Sequence, residues 1–149
     1  MIALLRRRFD RAHSLYADLA DELTAEQLGS TLADLPSNTI GGQLWCVLGA
    51  RESYPRAAVA GEWQGFTSPL DAAGVTDPTA VRAALRATHA DVDAWLGSID
   101  PADEDSLTYA LALLEHETQH HGQLIRYLYG LGIPRPASWQ RQYALDEES

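Results

Sequence analysis

The chain has 149 residues, enough for one domain with a sizeable core and too few for two. Its 46% hydrophobic and 21% charged content is ordinary globular usage, which excludes a disordered or fibrous chain. Acids number 21 against 11 bases, a formal net charge of −10 that repels phosphate backbones and anionic lipid, so neither nucleic acid nor a membrane is an expected partner.

From Ile2 to Leu23 apolar residues recur at Leu5, Phe9, Ala12, Tyr16, Leu19 and Leu23, the three-and-four spacing of one helix face. Thr24 is placed to cap a short turn through Ala25, Glu26 and Gln27, and Leu35, Pro36, Ser37 and Asn38 read as a break. Thr39 is the natural cap of a second long helix. Its apolar spacing continues through Ile40, Leu44, Val47, Leu48, Tyr54 and Ala58, while Pro55 predicts a kink or an end near Tyr54, at the furthest Ala60. The stretch Gly61–Thr76 is too long for a tight hairpin and suits a crossover. Asp77 and Pro78 form the cap and first position of a third helix, carried by Val81, Leu85, Val92 and Leu96 to about Ile99. Ser106 is the expected start of a fourth, with Ala110, Leu113, Leu124, Leu128 and Leu131 on one face and Gly130, Gly132 and Pro134 as its stop. The remainder, about 135–149, shows no periodicity and reads as a C-terminal tail. Four helices with no period-two segment predict an all-α four-helix bundle, one domain over residues 1–149.

The 11 bases are all arginine, which removes Schiff-base chemistry and a phosphate-loop lysine. One cysteine, Cys46, cannot form an internal disulfide, no apolar run approaches the roughly 18 residues of a membrane span, and Arg6, Arg7 and Arg8 sit inside an amphipathic segment rather than before a hydrophobic one. A cytoplasmic protein is the expectation.

The fourth helix carries His116, Glu117, Thr118, Gln119 and His120, a literal match to the H-E-x-x-H pattern of zinc peptidases. Histidines four apart project from one face, here the stripe of Leu113, Leu124 and Leu131, and a shared metal would satisfy both in an apolar setting; the alternative is a hydrogen-bonded core pair. Beyond His120 the only carboxylates are Asp146, Glu147 and Glu148 in the tail, and Gln123 occupies the metzincin glycine position, so a peptidase is disfavoured. A third ligand from another helix is the better reading, with Cys46, Glu52 and His89 as candidates. Cys46 shares its face with Gly42, Gly49, Ala50, Ser53 and Ala57, small residues that admit a neighbouring helix or a ligand. In antiparallel helices Cys46 lies roughly 10 Å and His120 roughly 15 Å from matching ends, about level. A thiolate and two imidazoles suit zinc or a similar borderline metal and leave a fourth position free, whereas an inert buried thiol is the alternative for Cys46. Trp45, Trp63, Trp95 and Trp139 read as core and loop anchors, and Gln123, Arg126 and Tyr127 as either ligand-orienting groups or ordinary packing.

Two segments, TIGGQLWCVLGARESY at Thr39–Tyr54 and HETQHHGQLIRYLYGLG at His116–Gly132, resemble the DinB/YfiT-like superfamily. The second is similar to its H-x-x-x-H-R-G-Q signature, with His121 where arginine is usual. The resemblance implies an up-down-down-up bundle, frequently a homodimer, in which one helix 2 residue and two helix 4 histidines bind a divalent metal. It carries these onto Cys46, in place of the family's histidine, and onto His116 and His120. It further implies a metal-dependent enzyme, zinc or nickel bound, of the thiol transferase or isomerase kind, acting on a small-molecule substrate with a low-molecular-weight thiol such as mycothiol or bacillithiol. Glu117 is then the candidate catalytic residue, accepting or relaying a proton; its bland alternative is a solvated helix carboxylate. A metal-free bundle that binds a small molecule or dimerises is the competing expectation.

Overall fold

The computed structural model describes residues 1–147, and these form helices with no strand among the described residues. In chain order they are α1 (Ile2–Glu22), α2 (Ala25–Leu28), α3 (Ile40–Ala60), α4 (Pro78–Ser98), α5 (Glu104–Gly130) and α6 (Ala137–Tyr143), with a 3-10 turn at Gly74–Thr76 before α4. The three expected caps are in place. Thr24 and Gln27 form a reciprocal capping box on α2, Thr39 accepts from Gly42 N–H on α3, and Asp77 accepts from the Thr79 and Ala80 N–H groups with Pro78 in the first turn of α4.

One boundary differs from the sequence expectation, and another falls at its outer limit, Ala60. The α5 helix opens at Glu104 rather than Ser106, because Asp103 accepts both Ser106 N–H at 3.1 Å and its hydroxyl at 2.7 Å, and Glu104 and Asp105 complement the helix dipole. The α3 helix runs through Pro55 to Ala60: proline removes one ladder bond, and burial of Arg51, Ser53 and Ala57 on both sides of it holds the helix together. Gly61 stops it in the left-handed region at φ 77°, its N–H donating to Ala57 O at 2.9 Å.

Four long helices bury two apolar clusters. One joins Leu15, Tyr16 and Leu19 of α1 with Leu44 and Leu48 of α3, Val81 and Leu85 of α4, and Leu124 and Leu128 of α5. The other joins Leu5 and Phe9 with Ala50, Val92, Leu96, Ala110 and Leu113. Following each chain from one cluster to the other, α1 and α5 run one way and α3 and α4 the opposite way. Helix α1 packs on α4 and α5, and α3 packs on the same two, leaving α1 and α3 diagonal.

Because α3 and α4 run in the same direction, the chain between them must travel back along the bundle, and the expected crossover does so against the small-residue face of α3. Thr67 pairs with Ser53, the Phe66 ring abuts Gly49, Ser68 donates to Trp45 O at 3.1 Å, Trp45 Nε1–H donates to Leu70 O at 2.9 Å, and Val75 O rests on Gly41. A Cβ on Gly41 or Gly49 would collide with that segment. The Gly41, Gly49 and Ser53 side therefore seats an irregular strap, while Cys46 and Ala50 turn toward α5.

The segment read as an aperiodic tail contains α6, whose Trp139 is fully buried and donates its indole N–H to Leu15 O at 2.7 Å. One seven-residue helix anchored by one tryptophan is too short for periodicity to reveal. Trp139 is thus an anchor, as expected of it, and is not available to a second chain. Among the described residues no helix is long and apolar enough to cross a membrane.

Candidate metal centre

The antiparallel packing of α3 on α5 brings Cys46, His116 and His120 together, with one ligand atom from each lying within 4.8 Å of the others. Cys46 Sγ and His116 Nε2 are 3.6 Å apart. A tetrahedral ion with nitrogen at about 2.0–2.1 Å and sulfur at about 2.3 Å requires ligand separations of roughly 3.3–3.6 Å, so the pair already stands on one edge of such a polyhedron. Of the three proposed partners for the histidine pair, Cys46 is the one placed there. Glu52 accepts from the Thr67 hydroxyl at 3.2 Å, and His89 stacks on His13 with centroids 4.1 Å apart while meeting Asp10 at 3.0 Å on the α1–α4 side.

Sequence reasoning missed Gln43. Its Oε1 accepts from His120 Nδ1–H at 2.5 Å, which leaves Nε2 as the ring nitrogen with a free lone pair. Gln43 lies one helical turn before Cys46, a spacing that marks it as a neighbour once Cys46 is singled out. Burial holds His116 below its ordinary pKa despite nearby Glu117, and burial together with His116 brings His120 down to about 4, so both imidazoles are neutral and able to ligate at pH 7. Burial pushes the Cys46 thiol up, so without a cation beside it the sulfur stays protonated. His116 Nδ1 is buried with no hydrogen-bond partner among the described residues. The donor set, the 3.6 Å edge and the fixed His120 tautomer fit a borderline divalent metal. Cys46 and His116 are half-buried, and the Tyr54 ring, 6.0 Å from that of His116, stands beside them with Trp63 over it at 5.8 Å.

Glu117 occupies a different place from either sequence expectation. It is fully buried, not a solvated carboxylate, and accepts from Arg51 Nε at 2.5 Å and from Arg51 Nη2 at 3.3 Å. Arg51 also donates to Leu85 O at 3.2 Å and Thr88 Oγ1 at 3.4 Å and lies 5.6 Å from the Tyr16 ring centroid, while Tyr16 donates to the Glu117 carbonyl at 2.5 Å. This polar layer joins all four long helices between the two apolar clusters. Arg51 was legible in principle as a charge inside the otherwise apolar α3 pattern. Tyr127 donates to Asn38 O at 2.6 Å and is packing; Arg126 is exposed, and Gln123 Oε1 is buried without a partner among the described residues.

Burial lowers His13 and His121 to about 3 and His120 to about 4, all below the ordinary 6.5. The unfolded chain therefore binds more protons in that window, and stability is complete above about 6.5 and declines as pH falls toward 4 and 3. Each such buried imidazole can contribute a slope approaching about 1.4 kcal/mol per pH unit, as expected of His121, which is 2% exposed. Urea denaturation of metal-free protein from pH 7.5 downward is expected to show this decline; a flat profile to pH 4 contradicts it.

Comparison with protein-family models, curated proteins and solved structures returns no match to this chain.

Proposed function

We propose that this protein is a divalent-metal-dependent enzyme of the DinB/YfiT-like type, with an up-down-down-up bundle, that acts as a thiol-dependent S-transferase or isomerase, using a low-molecular-weight thiol on a small molecule. The observation that carries the reading is the meeting of Cys46, His116 and His120 from two helices 70 residues apart in the chain. Two elements distant in sequence place one thiol and two neutral imidazoles at ligand spacing, and Gln43 holds one ring in a ligating tautomer. When bound, a zinc or nickel ion would supply Lewis acidity that lowers the pKa of a coordinated thiol or water. Cys46, His116 and His120 would hold it as three ligands, and Gln43 would orient His120. The half-buried setting leaves one side of the cluster for a small ligand, beside Tyr54.

The protein's own residues set the proton balance. Cys46 enters as a thiol and must lose its proton to ligate, so loading releases one proton at neutral pH while the two imidazoles, already neutral, release none. We do not assign Glu117 the acid–base role, since Arg51 occupies both of its oxygens. A zinc peptidase is disfavoured for the same reason: the glutamate of the H-E-x-x-H match would have to be the free general base. A metal-free bundle is the second reading, and what favours it is that Cys46 Sγ–H at 3.6 Å from His116 Nε2 is also an acceptable weak hydrogen bond.

Elemental analysis of untagged protein from metal-replete growth is expected to find one equivalent of zinc or nickel per chain, absent after His116→Ala with His120→Ala. Addition of a low-molecular-weight thiol to cobalt-loaded protein is expected to change its visible spectrum. Absence of metal in the wild type, or a full equivalent in the double variant, overturns the site; a spectrum indifferent to thiol overturns the thiol role.

A further inference from the structure

The first half of α1 carries four of the 11 cations, Arg6, Arg7, Arg8 and Arg11. Arg6 is engaged, with a two-pronged pair to Asp93 at 2.6 and 2.7 Å. Arg8 and Arg11, one turn apart, have no carboxylate within ion-pair distance among the described residues. They flank a cavity of about 260 Å³ between α1 and α5, walled by Thr118, His121 and Tyr143. A second cavity of about 270 Å³ shares Arg11 and Leu15 and adds Ser138 and Arg141 of α6. Arg11 stands between the two.

Two buried polar groups belong to residues lining the same cavities. His121 is 2% exposed, its Nδ1 meets the Tyr143 hydroxyl at 2.7 Å, and its Nε2 is buried with no hydrogen-bond partner among the described residues. In the tautomer with Tyr143 as donor, Nε2 carries the ring proton, which is directed toward the Ala12 backbone short of full hydrogen-bond geometry. Ser138 Oγ, beside the second cavity, is likewise buried and unpartnered among the described residues. Both atoms are closed off from solvent, so direct contacts to a ligand fall to the exposed guanidiniums around the cavities.

The chemistry of the lining selects the ligand. The two cavities present three guanidiniums, an imidazole and the hydroxyls of Thr118, Tyr143, Ser14 and Ser138, and neither is lined by Asp or Glu although the chain holds 21 of them. Guanidiniums exclude a metal ion and match a planar or tetrahedral oxyanion through paired N–H donors. The net charge of −10 and the short concave shape are unsuited to a nucleic-acid backbone, which needs an extended basic track. We propose that the α1–α5–α6 cavity is a binding site for a small molecule bearing a terminal phosphoryl or carboxylate group, held by Arg8 and Arg11 with Arg141. His121 follows His120 on α5 but lies about 100° further round the helix, so this site faces α1 whereas the metal centre faces α3. Oxyanion binding here does not require the metal.

Isothermal titration of the full chain with inorganic phosphate, and separately with succinate, against chloride at matched ionic strength tests it. At least one of the two is expected to bind saturably at one site per chain. Arg11→Ala and Arg8→Ala are each expected to weaken that binding about tenfold or more, the scale of a charge-assisted contact. Arg11→Lys, which keeps the charge but not the fork, should fall between, and Arg86→Ala on the remote face of α4 should match wild type. Phosphate alone, succinate alone, or both binding in this Arg8- and Arg11-dependent way identify a phosphoryl, a carboxylate or a general oxyanion ligand. Failure of both to saturate, or binding unchanged in the Arg8→Ala/Arg11→Ala double variant, overturns the site.

Discussion

Replacing Glu117 by Ala is expected to destabilise the fold by about 3–5 kcal/mol, the scale of a buried ion pair that loses one partner. The loss comes from what is left behind: Arg51, 2% exposed, keeps its charge but loses the carboxylate that accepts from Nε and Nη2. Its remaining partners, the Leu85 carbonyl, the Thr88 hydroxyl and the His13 imidazole, are neutral. At the size of this chain the loss corresponds to roughly 10 °C or more in Tm. Arg51→Met combined with Glu117→Leu removes both charges at once and should recover most of the stability lost in either single variant, because a matched apolar pair no longer carries a desolvated ion. Thermal and urea denaturation of wild type, Glu117→Ala, Glu117→Leu, Arg51→Met and the double variant provide the measurement. A Glu117→Ala protein within 1 kcal/mol of wild type shows that the layer is not structural, and reopens an acid–base role for Glu117.

The second large effect is on metal affinity. Cys46→Ser is expected to weaken zinc and nickel binding by more than about 100-fold, beyond the roughly 10- to 100-fold that loss of a group supporting a ligand costs. Cys46→His should retain binding, because imidazole serves the same coordination sphere. Gln43→Ala releases the His120 ring and should cost about 10- to 100-fold without removing a ligand. In the metal-loaded protein Cys46 should resist alkylation until a chelator is added; an inert core thiol would react at the same slow rate in both states. Competition titration against a chromophoric chelator gives the affinities, and an unchanged value in Cys46→Ser takes Cys46 off the ligand set.

Both effects trace to the same stretch of α3 against α5, where Cys46 meets His116 and, five residues on, Arg51 meets Glu117. The outer pair leaves a half-buried cluster of uncharged donors, and the inner pair ties the same two helices from beneath. Neighbouring residues of α5 thus serve opposite tasks, as His116 faces the groove and Glu117 the bundle interior.

Local chemistry was readable from the residues alone wherever one element decided the outcome. Thr24, Thr39 and Asp77 cap helices because an oxygen three residues from a free N–H acts within one turn, and the apolar spacing of α1 and α4 needs no distant partner to be recognised. The pairing of His116 with His120 follows from helical pitch, and the length of the 61–76 segment announces a crossover. Cys46 was one of three candidates by spacing, and packing of α3 on α5 selected it over Glu52 and His89. Burial of Glu117 against Arg51, the seating of the crossover on Gly41 and Gly49, the docking of Trp139 on Leu15 and the arginine-lined cavity at Arg8 and Arg11 each require groups from different parts of the chain. A one-dimensional pattern tells which face a residue takes on its own helix. It does not tell which neighbour desolvates that face or supplies its partner, and for a charged or polar side chain that neighbour decides whether it is a ligand, a buried ion pair or a solvated group.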